Sequence, residues 1–250
     1  MNFLRNTAIF ALIGLLIFSC SKDDDNNDIP PQPETGYFVD TITLREADGN
    51  IIYFTNFQYD SINRLIGQAF AEEDGDIDQL EYEYNNQGQM TGYKVNGYLF
   101  YGFEYENNRI TGIVEYDIDT DEVIDELPVT FSNGIYSVDG VEICKIDAQN
   151  QLLEIRGLDI AFLYGEQEGV HRHLDPVPAR YLMREIDYVL ADLTLSGLEL
   201  KGWTEEGTLA VSTENVRNKE GLITKVIAYN PSGEELFIWD IGYKERELVE

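Results

Sequence analysis

Few residues in this 250-residue chain combine the type and spacing that catalysis or metal binding requires. The only two histidines, His171 and His173, flank Arg172 and precede Asp175. Imidazoles two positions apart share a face only on a strand, and zinc needs further ligands close by. Pro176 and Pro178 predict a loop there instead, so no metal site is assigned. Asp74, Asp76 and Asp78, like Asp117, Asp119 and Asp121, have the alternate spacing that opens a calcium loop. An EF-hand wants glycine sixth and glutamate twelfth, and these stretches offer Gln79 and Asn85, or Glu122 and Pro128. Both therefore read as solvated hairpin loops. Cys144, inside the apolar-rich run Val141-Glu142-Ile143-Cys144-Lys145-Ile146, reads as a buried small hydrophobe and not as a nucleophile. The sequence contains no Gly-x-Ser-x-Gly elbow, phosphate-cradling loop or metalloprotease helix. With 47 acidic residues, carboxylate pairs are too common to single one out as a hydrolytic dyad. No catalytic residue and no cofactor is assigned, and an enzyme is unsupported. Trp203, in Lys201-Gly202-Trp203, is the tryptophan expected at the surface, where it would offer a stacking contact to a ligand such as a glycan.

A second thiol has a different chemistry. Residues 1–19 carry Arg5, then an apolar run of 11 residues from Ala8 to Phe18, then Ser19. That layout predicts a signal peptide, because a helix needs roughly 20 apolar residues to cross a bilayer core. Ile17-Phe18-Ser19-Cys20 resembles a bacterial lipobox. The resemblance implies cleavage before Cys20, acylation of that cysteine by palmitate and similar chains, and a membrane partner reached through the lipid. Ser21, Lys22, Asp23, Asp24 and Asp25 resemble the export signal of Bacteroidota lipoproteins, which implies an outer-membrane protein facing the cell exterior. Residues 20–35, acidic and holding three prolines, are expected to be a solvated tether.

Net charge narrows the partners. The whole chain carries 17 basic and 47 acidic side chains, a formal charge of −30, and Arg5 is the only base in the expected leader. Lysine and arginine are scattered, so a nucleic acid would be repelled. Without a partner for Cys144 in the mature chain, no internal disulfide is expected, and residues 36–250 are read as a single domain that must stand on its core alone.

The elements that would position any site come from a degenerate repeat. Tyr59-Asp60-Ser61-Ile62-Asn63-Arg64-Leu65-Ile66-Gly67 aligns with Tyr84-Asn85-Asn86-Gln87-Gly88-Gln89-Met90-Thr91-Gly92 and, shortened, with Tyr105-Glu106-Asn107-Asn108-Arg109-Ile110-Thr111-Gly112. Weaker copies begin at Phe131, Ile146, Asn218 and Tyr229. Asn, Asp and Gly supply the positive φ of tight turns, so each copy predicts a β-hairpin. Leu80, Tyr82 and Tyr84 alternate with Gln79, Glu81 and Glu83, and Tyr101, Phe103 and Tyr105 alternate with Gly102, Glu104 and Glu106. One face should be aromatic and buried, the other acidic and wet.

These motifs resemble YD or RHS-type repeats, and in particular secreted Bacteroidota lipoproteins of unknown function that string such hairpins together. The resemblance covers residues 50–157 and 214–243. It implies an all-β fold, a long antiparallel meander of hairpins that is curled or barrel-like. From Ala179 to Leu193, Leu182, Met183, Ile186, Val189, Leu190 and Leu193 recur at helical spacing, predicting one amphipathic helix over 179–193 that covers or plugs the sheet. The function expected is a surface-displayed, non-catalytic binding or interaction module whose partner is a glycan or an envelope protein. The alternative is a carrier of a hydrophobic ligand inside a barrel-like fold.

Overall fold

The computed structural model of the protein describes residues 34–72, 75–174, 176–183 and 196–249. They form β1 (Thr35–Glu46), β2 (Ile51–Tyr59), β3 (Leu65–Glu72), β4 (Ile77–Tyr84), β5 (Met90–Val95), β6 (Tyr98–Glu106), β7 (Arg109–Tyr116) and β8 (Val123–Ser132). There follow β9 (Ile135–Val138), β10 (Val141–Ile146), β11 (Leu152–Ile155), β12 (Ile160–Glu168), β13 (Leu198–Glu205), β14 (Thr208–Arg217), β15 (Ile223–Tyr229) and β16 (Glu235–Glu247). Every strand is antiparallel to the next in sequence, and β1 pairs with β16 from Thr35↔Glu247 to Glu46↔Phe237. The meander expected from the repeats is thus a closed sixteen-stranded barrel. Connections after odd-numbered strands lie at one pole, and those after even-numbered strands lie at the other, where residue 34 leads into β1.

The repeat explains the turns atom by atom. Asp60, Asn85, Asp147, Asn218 and Asn230 each open a five-residue connection. In each, the side-chain Oδ1 accepts the backbone N–H groups two and four residues on. The opening N–H donates to the fifth residue's carbonyl at 2.9–3.0 Å. The fourth residue, Asn63, Gly88, Asn150, Gly221 or Gly233, has φ between 62° and 83°. Asn and Gly tolerate that left-handed conformation; a β-branched residue would not. Pairing slips by one residue beside each of these turns, as between Gln58 and Tyr59 or Glu83 and Tyr84, which is the bulge such turns build.

The tyrosine of the repeat has its own role. The Tyr59 hydroxyl donates to the Val39 carbonyl at 2.9 Å, Tyr84 to Leu65 at 2.8 Å, Tyr105 to Met90 at 2.8 Å and Tyr243 to Ile223 at 2.9 Å. Each hydroxyl bonds to the adjacent, preceding strand, Tyr59 from β2 to β1, Tyr84 from β4 to β3, Tyr105 from β6 to β5 and Tyr243 from β16 to β15, pinning those strand pairs together near the even pole. Burial raises the phenols of Tyr59, Tyr105 and Tyr243 above the ordinary tyrosine range, so they remain donors.

The two-faced pattern holds. Leu80, Tyr82, Tyr101 and Phe103 are buried, and half-buried Tyr84 and Tyr105 pack on the same core, whereas Gln79, Glu81, Glu83, Glu104 and Glu106 are exposed. Tyr93 stacks between Tyr82 and Tyr101, with centroids 5.8 and 6.2 Å away. No helix among the described residues is long and apolar enough to cross a membrane.

The expected helix over 179–193 needs correction. Pro178–Leu182 forms a single 3₁₀ turn, and Met183 is extended at φ −68°, ψ 131°, so no continuous helix starts at Ala179. Pro178 occupies the first position of this turn, and Ala179, Leu182 and Met183 are all buried, so the apolar residues are drawn into the core instead of lying along one face of a helix. Residues 184–193 of that expectation lie outside the described residues.

If the Asx side chain holds the turn, Asn85→Ala should lower unfolding free energy by about 1–2 kcal/mol in urea titrations, since two backbone donors lose their acceptor. Asn86→Ala, one residue along, should change it by less than about 0.5 kcal/mol.

Candidate functional site

The densest collection of polar side chains in the interior belongs to the connection between β12 and β13. It leaves the even pole at Gly169 and folds into the barrel. The Gly169 N–H donates to the Gly197 carbonyl at 2.8 Å, and that of His171 donates to Ser196 at 3.2 Å. A Cβ on residue 169 would lie 2.3 Å from the carbonyl oxygens of both Leu198 and Ser196, so only glycine fits where the two ends of the connection meet. Inside, Val170, His171, Ala179, Arg180, Leu182 and Met183 are buried.

These residues reach several parts of the wall. The His171 ring meets Phe57 of β2 edge-on at 5.4 Å, and His173 lies 5.4 Å from Phe38 of β1. The Tyr243 hydroxyl of β16, already bonded to Ile223, also donates to the Val170 carbonyl at 3.3 Å. The Arg180 guanidinium stands over the Tyr82 ring at 5.0 Å, and its Nη2 donates to the Tyr84 hydroxyl at 3.3 Å. Pro178–Leu182 packs on β10, and the Ser196 hydroxyl donates to Gln151 at 3.0 Å. A round barrel of sixteen strands encloses a water channel. Here inward-facing Ile42, Leu65 and Tyr93 are dry, and they belong to the same cluster as the connection's own apolar residues. Of the 179–193 segment expected to cover or plug the sheet, the described residues 179–183 pack into the core, as irregular chain.

The electrostatics favour neutral groups. Burial, reinforced by the Arg180 charge, lowers the His171 pKa to about 3. Its imidazole is neutral at physiological pH, and its Nε2 has no hydrogen-bond partner among the described residues. Burial also pushes the Cys144 thiol up to about 12, so that thiol is an apolar filler and a poor nucleophile. Among the described residues no three His, Cys, Asp or Glu side chains converge as metal ligands. Asp117 is occupied locally: its Oδ1 accepts the N–H groups of Asp119 and Thr120 and the Thr120 hydroxyl, which hold its carboxyl below the ordinary range.

Trp203 is not where the sequence suggested. It sits within β13, paired with Phe162 and Val211, and is buried in the core. Gly202, at φ 139°, marks a distortion inside the strand, and pairing slips just beyond Trp203. The expected ligand contact at Trp203 is therefore withdrawn. Cys20 and the residues from Ser21 to Asp25 lie outside the described residues. Arg180 was missed from sequence; the one signal for it was a lone cation inside the apolar, proline-led run Pro178-Ala179-Arg180-Tyr181-Leu182-Met183.

No protein-family model and no curated protein matches the chain. Solved structures similar to it include a porin-like protein from Bacteroides uniformis. That structure is 13% identical at a TM-score of 0.32, over 82% of this chain and 98% of that one. The Photorhabdus luminescens Tc holotoxin pore, at 12% identity and a TM-score of 0.28, is covered over 9% of its length by 77% of this chain. The TcdB2-TccC3 structure, at 13% and 0.29, is covered over 10% by 79% of this chain. The chain thus spans about a tenth of each toxin chain.

His171 makes the plug sensitive to acid. The folded imidazole stays neutral down to about pH 3, while in the unfolded chain it protonates near 6.5. Between those values the unfolded state binds more protons, so stability falls as pH drops, by up to about 1.4 kcal/mol per pH unit. Urea unfolding of His171→Gln should lose stability less steeply than wild type from pH 6 to pH 4; parallel slopes would contradict the burial of a neutral imidazole.

Proposed function

We propose that this protein is a lipid-anchored lipoprotein of the outer membrane, displayed on the cell exterior, whose barrel is a non-catalytic interaction module. The observation that carries the reading is the orientation of the two faces. In a membrane-spanning barrel the outer surface is an apolar band and the lumen is polar. Here outward positions hold exposed Glu81, Glu83 and Glu104, while the inward ones form one apolar cluster. A barrel so arranged is suited to water on its outside and needs a separate attachment to reach a membrane. Cys20, after the apolar run and Ser19, supplies one by resembling a lipobox cysteine. Ser21-Lys22-Asp23-Asp24-Asp25 supports the exterior leaflet, and the acidic, proline-rich stretch to residue 35 supports a tether.

An interaction module fits better than a carrier. A hydrophobic cargo would need the space that the 169–183 segment and the inward aromatic rings already fill. Recognition then falls to the outer surface and the connections, with a glycan or an envelope protein as partner.

Cells making the full chain test the display. Wild type should incorporate a palmitate analogue and be removed from intact cells by added protease. Cys20→Ser should lose the label and leave the membrane fraction. Replacing Asp23, Asp24 and Asp25 by alanine should keep the label but protect the barrel from protease. An unlabelled wild-type protein, or one shielded in intact cells, would overturn this reading.

A further inference from the structure

Resting on display as an interaction module, we propose that the odd pole of the barrel docks a cationic amphipathic polypeptide along an arc of four consecutive hairpins. The arc runs from the β3–β4 connection through β5–β6 and β7–β8 to β9–β10. Each hairpin presents a large apolar side chain to solvent at or beside the start of its second strand: Ile77 is 57% exposed, Tyr98 52%, Ile124 63% and Val141 61%. Apolar residues scattered singly over a surface need no explanation, but a recurrence at one rim does. Neighbouring strands lie about 4.8 Å apart, so successive hairpins recur about every 10 Å and the arc is about 30 Å long. That is the length of a helix of about 20 residues.

Charge selects the occupant. Over all eight connections at the odd pole, the described residues carry ten carboxylates and one base, Arg156. In the four connections of the arc there is no base at all, while Asp119, Asp121, Glu122 and Asp139 stand exposed between the apolar side chains. The six hairpins of the even pole carry three carboxylates, Asp60, Asp147 and Glu220, against Arg64 and Lys219. The acidity of the hairpin turns is thus concentrated at one end. A second copy of this protein, or an anionic lipid surface, would be repelled there, whereas apolar side chains flanked by lysine or arginine would meet both features at once. β1 begins at Thr35 at the even pole, opposite this rim.

The test uses the full chain with Cys20→Ser, so that no detergent is present, and three synthetic 20-residue peptides: an amphipathic leucine–lysine helix, its leucine–glutamate counterpart and a lysine–serine peptide of equal charge. Fluorescence anisotropy should show the leucine–lysine peptide binding at least tenfold tighter than lysine–serine, with affinity falling as salt rises, and no binding of leucine–glutamate. Combining Ile77→Ser, Ile124→Ser and Val141→Ser should weaken binding at least tenfold. Ile62→Ser with Val216→Ser, exposed residues near the even pole, should change it by less than twofold. Unchanged near-ultraviolet circular dichroism confirms that each variant is folded; if the triple variant is not, Asp119→Lys with Asp139→Lys replaces it, with the same expected loss. Equal binding of lysine–serine and leucine–lysine, undiminished binding by the rim variants, or equal loss from the even-pole variants would overturn the docking arc. Those outcomes leave surface display untouched, because protease removal from intact cells fails or succeeds independently of them.

Discussion

The antiparallel pairing of β1 with β16 is the constraint on which the barrel rests. Without it, two long strands would present free edges at the two ends of the sheet, and an exposed edge is a template for association with other chains. Joining them removes both edges and encloses the aromatic face. It also obliges the enclosed space to be filled, because a sixteen-stranded sheet curved into a full circle surrounds more volume than its own side chains occupy. The 169–183 segment answers that obligation, tucking His171 and Arg180 against Phe57, Tyr82 and Tyr84. Closure, plug and dry interior are one arrangement.

Local and global forces divide the work in a recognisable way. The Asx side chains and left-handed fourth residues set each turn and its bulge with contacts no more than four residues apart, which fixes hairpin register without reference to the rest of the barrel. The tyrosines extend this to the preceding strand, since Tyr59, Tyr84, Tyr105 and Tyr243 bond to carbonyls 15–20 residues upstream on it. Only β1–β16 joins residues more than 190 apart, such as Arg45 and Ile238. Its ends are reinforced from the neighbouring turn, where Arg246 bonds to the Asn63 side chain and the Asp60 carbonyl at the even pole. Buried charge is met by partners, the Tyr82 face and the Tyr84 hydroxyl among those of Arg180, and Lys201 and Arg217 for Glu199.

The hairpins were legible because Asp60, Asn85, Asp147, Asn218 and Asn230 are short-range signals, and the alternation around Tyr82 and Tyr101 is a period-two pattern that solvent enforces. Closure was not legible: nothing in Thr35 or Glu247 names the other as partner. β12 and β13 lack the Asx turn between them, so the span between two repeat blocks read as a break. Trp203 was misplaced because β13 lacks period-two alternation: Glu199 and Leu200, then Gly202 and Trp203, are buried as consecutive pairs. The helical spacing after Ala179 misled at its start because burial at Arg180, Leu182 and Met183 follows the walls of a cavity closed by distant strands, not a local period. The acidic, apolar odd pole was visible only once topology assigned alternate turns to the same end.

Hydrogen exchange resolved to single strands tests closure most directly. In a barrel joined through β1 and β16, the inter-strand amides of both should be protected as strongly as those of β6 and β7, and should exchange only with global unfolding. If β1 and β16 exchange as free edges while the central hairpins remain protected, the sheet is open and the account of a filled, closed barrel is wrong.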